Sequence, residues 1–289
     1  MCKLRHSYNT LITQINLCNK TISPKNGVFV MGIINTTPDS FFSGSRKTEP
    51  QEAAETALRM VQDGADILDL GAESTRPGAM YVSEEEQIRR MLPVLQEIRK
   101  KTDCPVSIDT RSLKVFQTMF DNGADIINDI SAFEDDAGLA DFAAKEKIPV
   151  ILMHKKGNPD EMMSNLCYND IVTDIISYFK ERISFAHSKG LQDDRIILDP
   201  GIGFSRNLSQ NIEIISRAFD FSFNGTYPVL IGASRKTCIG QLTGKTAENR
   251  LAGTLAVHQL AVLYGASILR VHDVPETVDM LKVLKGFGK

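Results

Sequence analysis

The amino-acid sequence predicts an α/β protein that forms a single (β/α)8 barrel, a TIM barrel, with a short N-terminal extension. Three observations predict this fold. Short runs rich in Val, Ile and Leu recur along the chain, amphipathic stretches separate them, and several of these stretches end in glycine, as helices often do. The 289 residues, of which 42% are hydrophobic and 24% charged, are enough for one such barrel with a large core.

Eight apolar runs account for the predicted strands. They are nearly continuous rather than alternating, which is typical of parallel strands that helices cover on one face and a packed interior covers on the other. In chain order they are VFVMGIIN at 28–35, DILDLGAE at 66–73, PVSIDT at 105–110, DIINDIS at 125–131, PVILMH at 149–154, RIILDPG at 195–201, PVLIGAS at 228–234 and ASILRVHD at 266–273. Eight such units favour a closed barrel over a doubly wound open sheet, which usually has fewer strands.

Amphipathic stretches between the runs predict the helices, and they include 52–64, 84–101, 113–123 and 169–190. The tripeptide Gly-Ala-Asp precedes both the second and the fourth strand, and Gly-Ala-Ser precedes the eighth. The same short motif is therefore predicted to end a helix and lead into a strand at each of these places. Residues 1–27 come before the first strand. We expect them to form an extension that caps the bottom of the barrel, and we expect 28–289 to form the catalytic barrel itself.

The bulk properties exclude several classes of partner. A formal net charge of -3 and a pI near 6.0 give no general attraction to nucleic acid or to an anionic membrane. The five cysteines form no CxxC pair, and their odd number argues against a secreted disulfide framework. No apolar run is long enough to span a membrane, and the N-terminus does not resemble a signal peptide. We therefore expect a cytoplasmic protein that acts on small molecules.

Polar side chains follow several of the predicted strands, where the active sites of barrel enzymes lie. Asp109, Asn128 and Asp199 each end an apolar run. An unpaired buried carboxylate is costly, but a ligand edge with adjacent N–H donors, such as the aminopyrimidinone edge of a pterin, would satisfy it, and an asparagine could donate and accept beside it. Any one of these residues alone could instead cap a helix or bind backbone amides.

A second set of strand-end residues is cationic. Its members are Arg76, Arg235, Lys236, Arg270 and His272. Each alone could form a surface ion pair, but together at one mouth of an acidic chain they suit a phosphate or a diphosphate. Asn35, after the first strand, could add one oxygen ligand to a Mg²⁺ ion that arrives with the diphosphate, because Mg²⁺ usually keeps several waters and binds phosphates.

Two long stretches after the first two strands, 35–46 and 74–83, exceed the usual connection in such barrels and are expected to act as lids. Phe41 and Pro77 lie within them and could cover an aromatic co-substrate, although two ordinary surface loops are the alternative. Met153 could pack against the ligand ring.

His154, His187 and His258 lack metal-ligand spacing, and we expect them in packing or on the surface. 

The strings NTTPDSF, GAESTRPGA, SIDT, NDIS, DPGIGF, SRK and RVHD occur in this order along the chain. In these motifs, and over about 28–285, the chain resembles the dihydropteroate synthase family. The resemblance implies condensation of 4-aminobenzoate with 6-hydroxymethyl-7,8-dihydropterin diphosphate, which gives 7,8-dihydropteroate and diphosphate in folate biosynthesis. It also implies inhibition by sulfonamides, which mimic the amine substrate, and a homodimer that packs through late helices, including 246–264.

The resemblance further implies a role for each matching residue, and Asp109, Asp199, Lys236, Arg270 and His272 would be catalytic. The pterin would be held by Asp109, Asn128, Asp199 and Lys236, lined by Met153 and Phe204, and covered by Arg270. The diphosphate and its Mg²⁺ would be held by Asn35, Arg76, Arg270 and His272. The aminobenzoate would be framed by Phe41, Thr75, Pro77, Phe204, Ser234 and Lys236.

Two other functions remain open at this point. A pterin-dependent methyltransferase acting on methyltetrahydrofolate would use a similar set of Asp and Asn residues, but it needs no diphosphate site. A noncatalytic pterin-binding barrel would bind the ring without turnover. The cations Arg76 and Lys236 and the pair Arg270 and His272 favour the synthase over the methyltransferase, and the complete set of substrate contacts favours it over the noncatalytic barrel.

Overall fold

The computed structural model describes residues 12–36, 49–73, 82–155, 168, 170–204 and 206–287. Within these residues, eight parallel strands form one sheet. They are β3 Phe29–Asn35, β4 Ile67–Gly71, β5 Val106–Asp109, β6 Ile126–Asp129, β7 Val150–Met153, β8 Ile196–Asp199, β9 Leu230–Ile231 and β10 Ile268–Val271. Their order in the sheet is β8-β7-β6-β5-β4-β3-β10-β9. A parallel bridge between Leu198 and Val229 links the two end strands of the sheet. The predicted (β/α)8 barrel is confirmed.

Helices surround this barrel. They are α1 Glu49–Gln62, α2 Glu84–Arg99, α3 Leu113–Phe120, α4 Gly138–Glu146, α5 Ile171–Ser188, α6 Leu208–Ser216, α7 Thr237–Thr243, α8 Leu251–Leu263 and α9 Val274–Phe287. Side chains at the starts of some of them accept free backbone N–H groups: Ser83 accepts from Glu86 in α2, and Ser112 accepts from Val115 in α3. None of the described helices is long and apolar enough to cross a membrane.

The repeated glycines end helices as the sequence predicts. Gly64, Gly123 and Gly265 have φ values of 108°, 98° and 108°, in the left-handed region that favours glycine. In each case the following alanine is buried and the chain enters a strand within a few residues. The motif therefore sets where strands β4, β6 and β10 begin.

The inside of the barrel is apolar at its N-terminal end. One layer of buried side chains fills it, and its members are Phe29, Met31, Ile67, Ile126, Ile151, Ile197, Leu230 and Ile268. Because side chains alternate along a strand, residues two positions later point to the same interior. Those positions include Asp69, Asn128, Asp199 and Arg270. The interior thus changes from apolar to charged toward the C-terminal ends of the strands.

A short antiparallel hairpin precedes the barrel. Its strands are β1 Ile15–Asn16 and β2 Thr21–Ile22. Ile15 and Leu17 are buried in the apolar layer at the N-terminal end of the barrel. Arg195, which comes just before β8, donates from Nη1 to the carbonyl oxygens of Asn16 and Leu17, both at 3.0 Å. The division of the chain at residue 27 stays a prediction.

Candidate active site

Arg270 lies where the charges of the barrel mouth meet. Its Nε donates to Asp69 Oδ2 at 2.6 Å, and its Nη2 donates to Asp109 Oδ2 at 3.1 Å. The Asp69 side chain is fully buried. Asn128 Nδ2 lies 3.3 Å from both carboxylate oxygens of Asp69. Since a carboxylate only accepts, the amide nitrogen of Asn128 must face Asp69, and its carbonyl oxygen is turned away and can accept from a ligand.

A second pair of opposite charges lies beside the first. Asp199, at the end of β8, accepts from the backbone N–H of Gly201 at 2.7 Å. Lys236 Nζ donates to the carbonyl oxygen of Ile202. The same Nζ lies 4.4 Å from the centroid of the Phe204 ring, a distance typical of a cation–π contact. One turn after β8 therefore connects the acid, the lysine and the aromatic ring.

Burial shifts the pKa values of these groups. Burial raises the pKa of Asp109 to about 7, although Arg270 opposes the shift, and it also raises the pKa of Asp199. Burial lowers the pKa of Lys236 to about 8. Burial also opposes the charge of Arg270, but the neighbouring Asp69 and Asp109 outweigh it and raise the pKa of the guanidinium. Within the described part of the chain, Asp69, Asp109 and Asp199 share this interior with Lys236 and Arg270, so a ligand that brings N–H donors would relieve the excess of acceptors.

An apolar face lies next to the charged groups. Met153 and Phe204 are buried together with Ile130 in a small cluster. Met153 pairs with Asp199 across the β7–β8 ladder, which puts this cluster beside the acid. A flat heterocycle could therefore place its ring on the cluster and its polar edge on the carboxylates.

Ser234 and His272 lie together at the ends of β9 and β10. Ser234 Oγ accepts from the His272 backbone N–H at 3.2 Å and lies 3.0 Å from His272 Nδ1. The His272 side chain is exposed at the mouth. Arg235, which the sequence groups with the phosphate-binding cations, instead pairs with Asp273, with 2.9 Å between Nε and Oδ2. Its charge is already matched, so it is a weaker candidate for a phosphate ligand.

Asn35 ends β3 and is half-buried, in register with Gly71 of β4. No group of three or more His, Cys, Asp or Glu side chains among the described residues could hold a metal ion. A single amide oxygen nonetheless suits Mg²⁺ that takes its other ligands from water and phosphate, so Asn35 fits that group. The remaining predicted site residues, Phe41, Thr75, Arg76 and Pro77, lie outside the described residues.

The structure also adds residues that the sequence reasoning did not select. Asp69 was missed, although its place two residues after the interior Ile67 was a signal for a buried acid. Ile130 was missed as part of the apolar cluster. Arg206 was missed as well: its Nη2 lies 2.5 Å from Nδ1 of His154, a residue that is buried after β7. His187, as predicted, lies on the surface, 2.8 Å from Asp193.

Comparisons with known proteins agree with this geometry. The family model of pterin binding enzymes matches residues 31–272, which is more than half of the chain. The dihydropteroate synthase of Escherichia coli strain K12 is 41% identical over 257 residues, covering 89% of this chain and 90% of the relative.

Solved structures give the same result. The Xanthomonas albilineans dihydropteroate synthase with 4-aminobenzoic acid superimposes with a TM-score of 0.88 at 38% identity, covering 95% of this chain and 98% of the other. The Yersinia pestis dihydropteroate synthase with a sulfonamide drug complex has a TM-score of 0.87 at 36% identity, with the same two coverages of 95% and 98%. The chain therefore belongs to the pterin binding enzyme family and, within it, to the dihydropteroate synthases.

Proposed function

We propose that this protein is a dihydropteroate synthase, a transferase that joins 4-aminobenzoate to 6-hydroxymethyl-7,8-dihydropterin diphosphate and releases diphosphate. The observation that carries this conclusion is the buried cluster of Asp69, Asp109, Asn128 and Arg270 at the mouth of the barrel. It presents an excess of acceptors beside an apolar face, which is what the edge and the ring of a pterin require. The similarity to the Escherichia coli synthase supports the same activity.

In this proposal the pterin lies on Met153 and Phe204, with Arg270 against its other face. Asp199 accepts from the N–H donors of the pterin edge, and the carbonyl oxygen of Asn128, which faces away from Asp69, accepts another. Lys236 donates to an acceptor of the ring. Contacts within the protein hold each of these groups in place before the ligand binds, which lowers the entropic cost of binding.

The reaction follows from the charges around the methylene carbon of the pterin. The carbon–oxygen bond to the diphosphate breaks, and its electron pair leaves with the diphosphate. Asp109 and Asp199 stabilise the cation that remains on the dihydropterin. The amine nitrogen of 4-aminobenzoate then attacks the methylene carbon and loses a proton. No covalent bond to the enzyme forms, so a trapped protein adduct would contradict this substitution.

The departing diphosphate needs cations at the mouth. We assign this role to Arg270, His272 and, outside the described residues, Arg76, with Asn35 as one ligand of a Mg²⁺ ion. When bound, Mg²⁺ would supply positive charge that neutralises the leaving group. Ser234 fixes the position of His272 through its hydroxyl, 3.0 Å from Nδ1.

The second substrate would bind at the mouth, beside the pterin. We assign the aminobenzoate site to Ser234, Lys236 and Phe204 together with Phe41, Thr75 and Pro77. The related enzymes with 4-aminobenzoic acid and with a sulfonamide drug support an aromatic amine as the second substrate. A sulfonamide should therefore inhibit this protein in competition with 4-aminobenzoate.

Release of pyrophosphate tests the proposed function. Purified protein is mixed with Mg²⁺, the pterin diphosphate and 4-aminobenzoate, and Asp199→Asn and Lys236→Ala are compared with Asp141→Asn and Lys145→Ala on α4. We expect turnover by the wild type and by the α4 pair, and losses of about a hundredfold or more in the two mouth variants. Wild-type rates in both mouth variants would overturn the site assignment.

A second assay separates the synthase from a methyltransferase. The synthase should bind pyrophosphate in the presence of Mg²⁺, because its mouth has to hold the leaving group. A pterin-dependent methyltransferase should not bind pyrophosphate, but it should turn over methyltetrahydrofolate. Turnover of methyltetrahydrofolate without release of pyrophosphate would replace the proposed function by this alternative.

We also propose that the protein is a cytoplasmic homodimer. The helix α8 is apolar on nearly all sides, and its outer face leaves Leu260 44% exposed beside the exposed Ala256. A second copy that packs on this face would bury it. The cysteines that the structure describes, Cys18, Cys104 and Cys238, are free thiols, which fits a reducing compartment.

A further inference from the structure

We infer that Arg206 is a positioning residue that fixes the turn between Asp199 and Phe204, and through that turn the face on which the pterin binds. This inference rests on the proposed function, since it assigns the turn to the pterin site. Arg206 itself does not have to touch the substrate. Its effect would pass through the backbone of the turn.

The contacts of Arg206 join two strand ends. Its Nη1 donates to the carbonyl oxygens of Gly201 and Phe204, the latter at 2.5 Å. Its Nη2 donates to the carbonyl oxygen of His154 at 3.3 Å and lies 2.5 Å from the Nδ1 atom of the same residue. Because a guanidinium only donates, His154 Nδ1 must be the acceptor. The turn after β8 is thereby tied to the chain that leaves β7.

The backbone of this turn needs such donors. Gly201 and Gly203 have φ values of 75° and 80°, so the chain reverses through two left-handed residues. Three carbonyl oxygens of the turn accept from cationic side chains. Arg206 donates to those of Gly201 and Phe204, and Lys236 donates to that of Ile202. Without these side chains, the carbonyl oxygens of Ile202 and Phe204 would lose these donors, and that of Gly201 would keep only the Phe204 N–H at 3.3 Å.

The turn is also packed closely enough to transmit a displacement. A Cβ added at Gly201 would lie 2.2 Å from the His154 carbonyl oxygen and 3.2 Å from Arg206 Nη1. A Cβ added at Gly203 would lie 2.9 Å from Lys236 Cδ. The turn and its neighbours are in close contact, so a shift of the turn has to move Lys236 or the chain after β7.

Two pterin contacts depend on where the turn lies. Asp199 accepts from the N–H of Gly201 at 2.7 Å, and the Phe204 ring lies 4.4 Å from Lys236 Nζ. Loss of Arg206 would therefore disturb the acid and the aromatic face together. Burial lowers the pKa of Arg206 to about 10, which still leaves the guanidinium charged at neutral pH.

The chain contains a matched control at the opposite end of the barrel. Arg195 also donates to three backbone carbonyl oxygens: those of Asn16 and Leu17 at 3.0 Å and that of Lys147 at 2.7 Å. Removing either arginine takes away donors for several carbonyl groups and should lower the melting temperature. Only the loss of Arg206 should affect the pterin site.

The experiment compares Arg206→Gln, Arg206→Lys and Arg195→Gln in the full chain. Calorimetry measures the Kd of a non-reacting 6-hydroxymethylpterin, and hydrogen exchange measures the amide protons of the turn. We expect Arg206→Gln to raise the Kd on the order of tenfold or more and to speed exchange at Gly203 and Phe204. Arg206→Lys should recover part of the binding, because it keeps a charge and donors. Arg195→Gln should leave the Kd unchanged.

Each result separates the inference from the proposed function. Wild-type Kd and exchange in Arg206→Gln would overturn the inference, as would an equal rise of Kd in Arg195→Gln. If Arg206→Gln fails to fold, Arg206→Lys carries the comparison by the same criteria. Absence of turnover by the wild-type protein would refute the proposed function. Even then, faster exchange of the turn in Arg206→Gln but not in Arg195→Gln would support the role of Arg206 in fixing the turn.

Discussion

Arg270 is the residue on which the charges of the mouth depend most. It lies between Asp69 and Asp109, and its guanidinium satisfies one oxygen of each. The fork of an arginine can bridge two carboxylates, which the single ammonium of a lysine would do with less geometric control. Asp69 in turn also holds the amide of Asn128. Asp69 therefore orients two of the side chains that we assign to the pterin.

Asp69→Asn tests this dependence. The variant removes the charge of one partner in a buried ion pair, so we expect the free energy of unfolding to fall by about 3 kcal/mol. We also expect the Kd for pterin to rise, because Asn128 loses its carboxylate partner. Urea unfolding and calorimetry measure the two effects. Asp279→Asn, which alters a carboxylate that is 74% exposed, is the control, and an equal loss of stability there would contradict the prediction.

The dependence of activity on pH should report two buried groups. Burial raises the pKa of Asp109 to about 7, and its carboxylate has to be ionised to stabilise the cation, so kcat/KM for the pterin diphosphate should fall as the pH drops below about 7. Burial lowers the pKa of Lys236 to about 8, and its ammonium has to be protonated to donate, so kcat/KM should also fall above about 8. Lys236→Arg should remove the alkaline limb, and an unchanged limb in that variant would argue against this assignment.

Among the elements, the strands do most to build the site, because their alternation sends every second side chain inside. The apolar layer occupies the first interior positions, and charged or amide side chains occupy the next ones. The glycines at or just after the strand ends differ in how closely the mouth side chains approach them: a Cβ added at Gly232, which follows β9, would make an ordinary contact of 3.7 Å with Arg270 Cβ. A Cβ added at Gly71 would lie closer still, 3.3 Å from Asp109 Cβ.

Gly71→Ala tests how tightly the strands hold Asp109. The new methyl group would force Asp109 to move by a few tenths of an ångström. We expect kcat/KM to fall about tenfold, with little change in the melting temperature, because the carboxylate shifts while the strand remains. Gly232→Ala makes only an ordinary contact of 3.7 Å and serves as the comparison in the same steady-state assay. A larger loss in Gly232→Ala would contradict the explanation.

At the scale of the whole molecule, closure of the barrel matters most for the site. Closure of the barrel depends on a short strand pairing. The strand β9 spans only Leu230–Ile231, whereas the apolar run predicts a strand over 228–234. The carbonyl oxygen of Val229 accepts from Ser267 and Ile268, so pairing starts before the strand proper. After Ile231 the chain leaves the ladder through Gly232 and brings Ser234 and Lys236 to the mouth.

The proposed dimer gives a prediction at this scale. Leu260→Lys places a charge on the outer face of α8, so we expect the dimer to dissociate while each barrel stays folded. Sedimentation gives the mass and circular dichroism gives the fold. Leu242→Lys, at a residue that is 58% exposed on α7, is the control. A wild-type protein that sediments as a monomer would refute the dimer.

Much of the fold was predictable from local patterns. All eight strands fall within the apolar runs, and helix α5 spans Ile171–Ser188 within the predicted 169–190. Of the mouth residues, Asp109, Asn128, Asp199 and Arg270 were predicted because each lies at or next to the C-terminal end of its strand. Asp69 was missed because it lies in the middle of a strand, within an otherwise apolar run of residues, and a buried charge is costly there. Arg206 was missed because nothing local indicates that it reaches His154.

The sequence by itself determined the alternation of strands and helices, the ends of the helices and the chemical character of the strand ends, since these depend on neighbours a few residues away. Tertiary structure alone decided which charges meet. Asp69 and Arg270 are 201 positions apart in the chain, and only closure of the barrel brings them to 2.6 Å. Ionic contacts act over a few ångströms, so they are set by the three-dimensional path of the chain rather than by its local pattern.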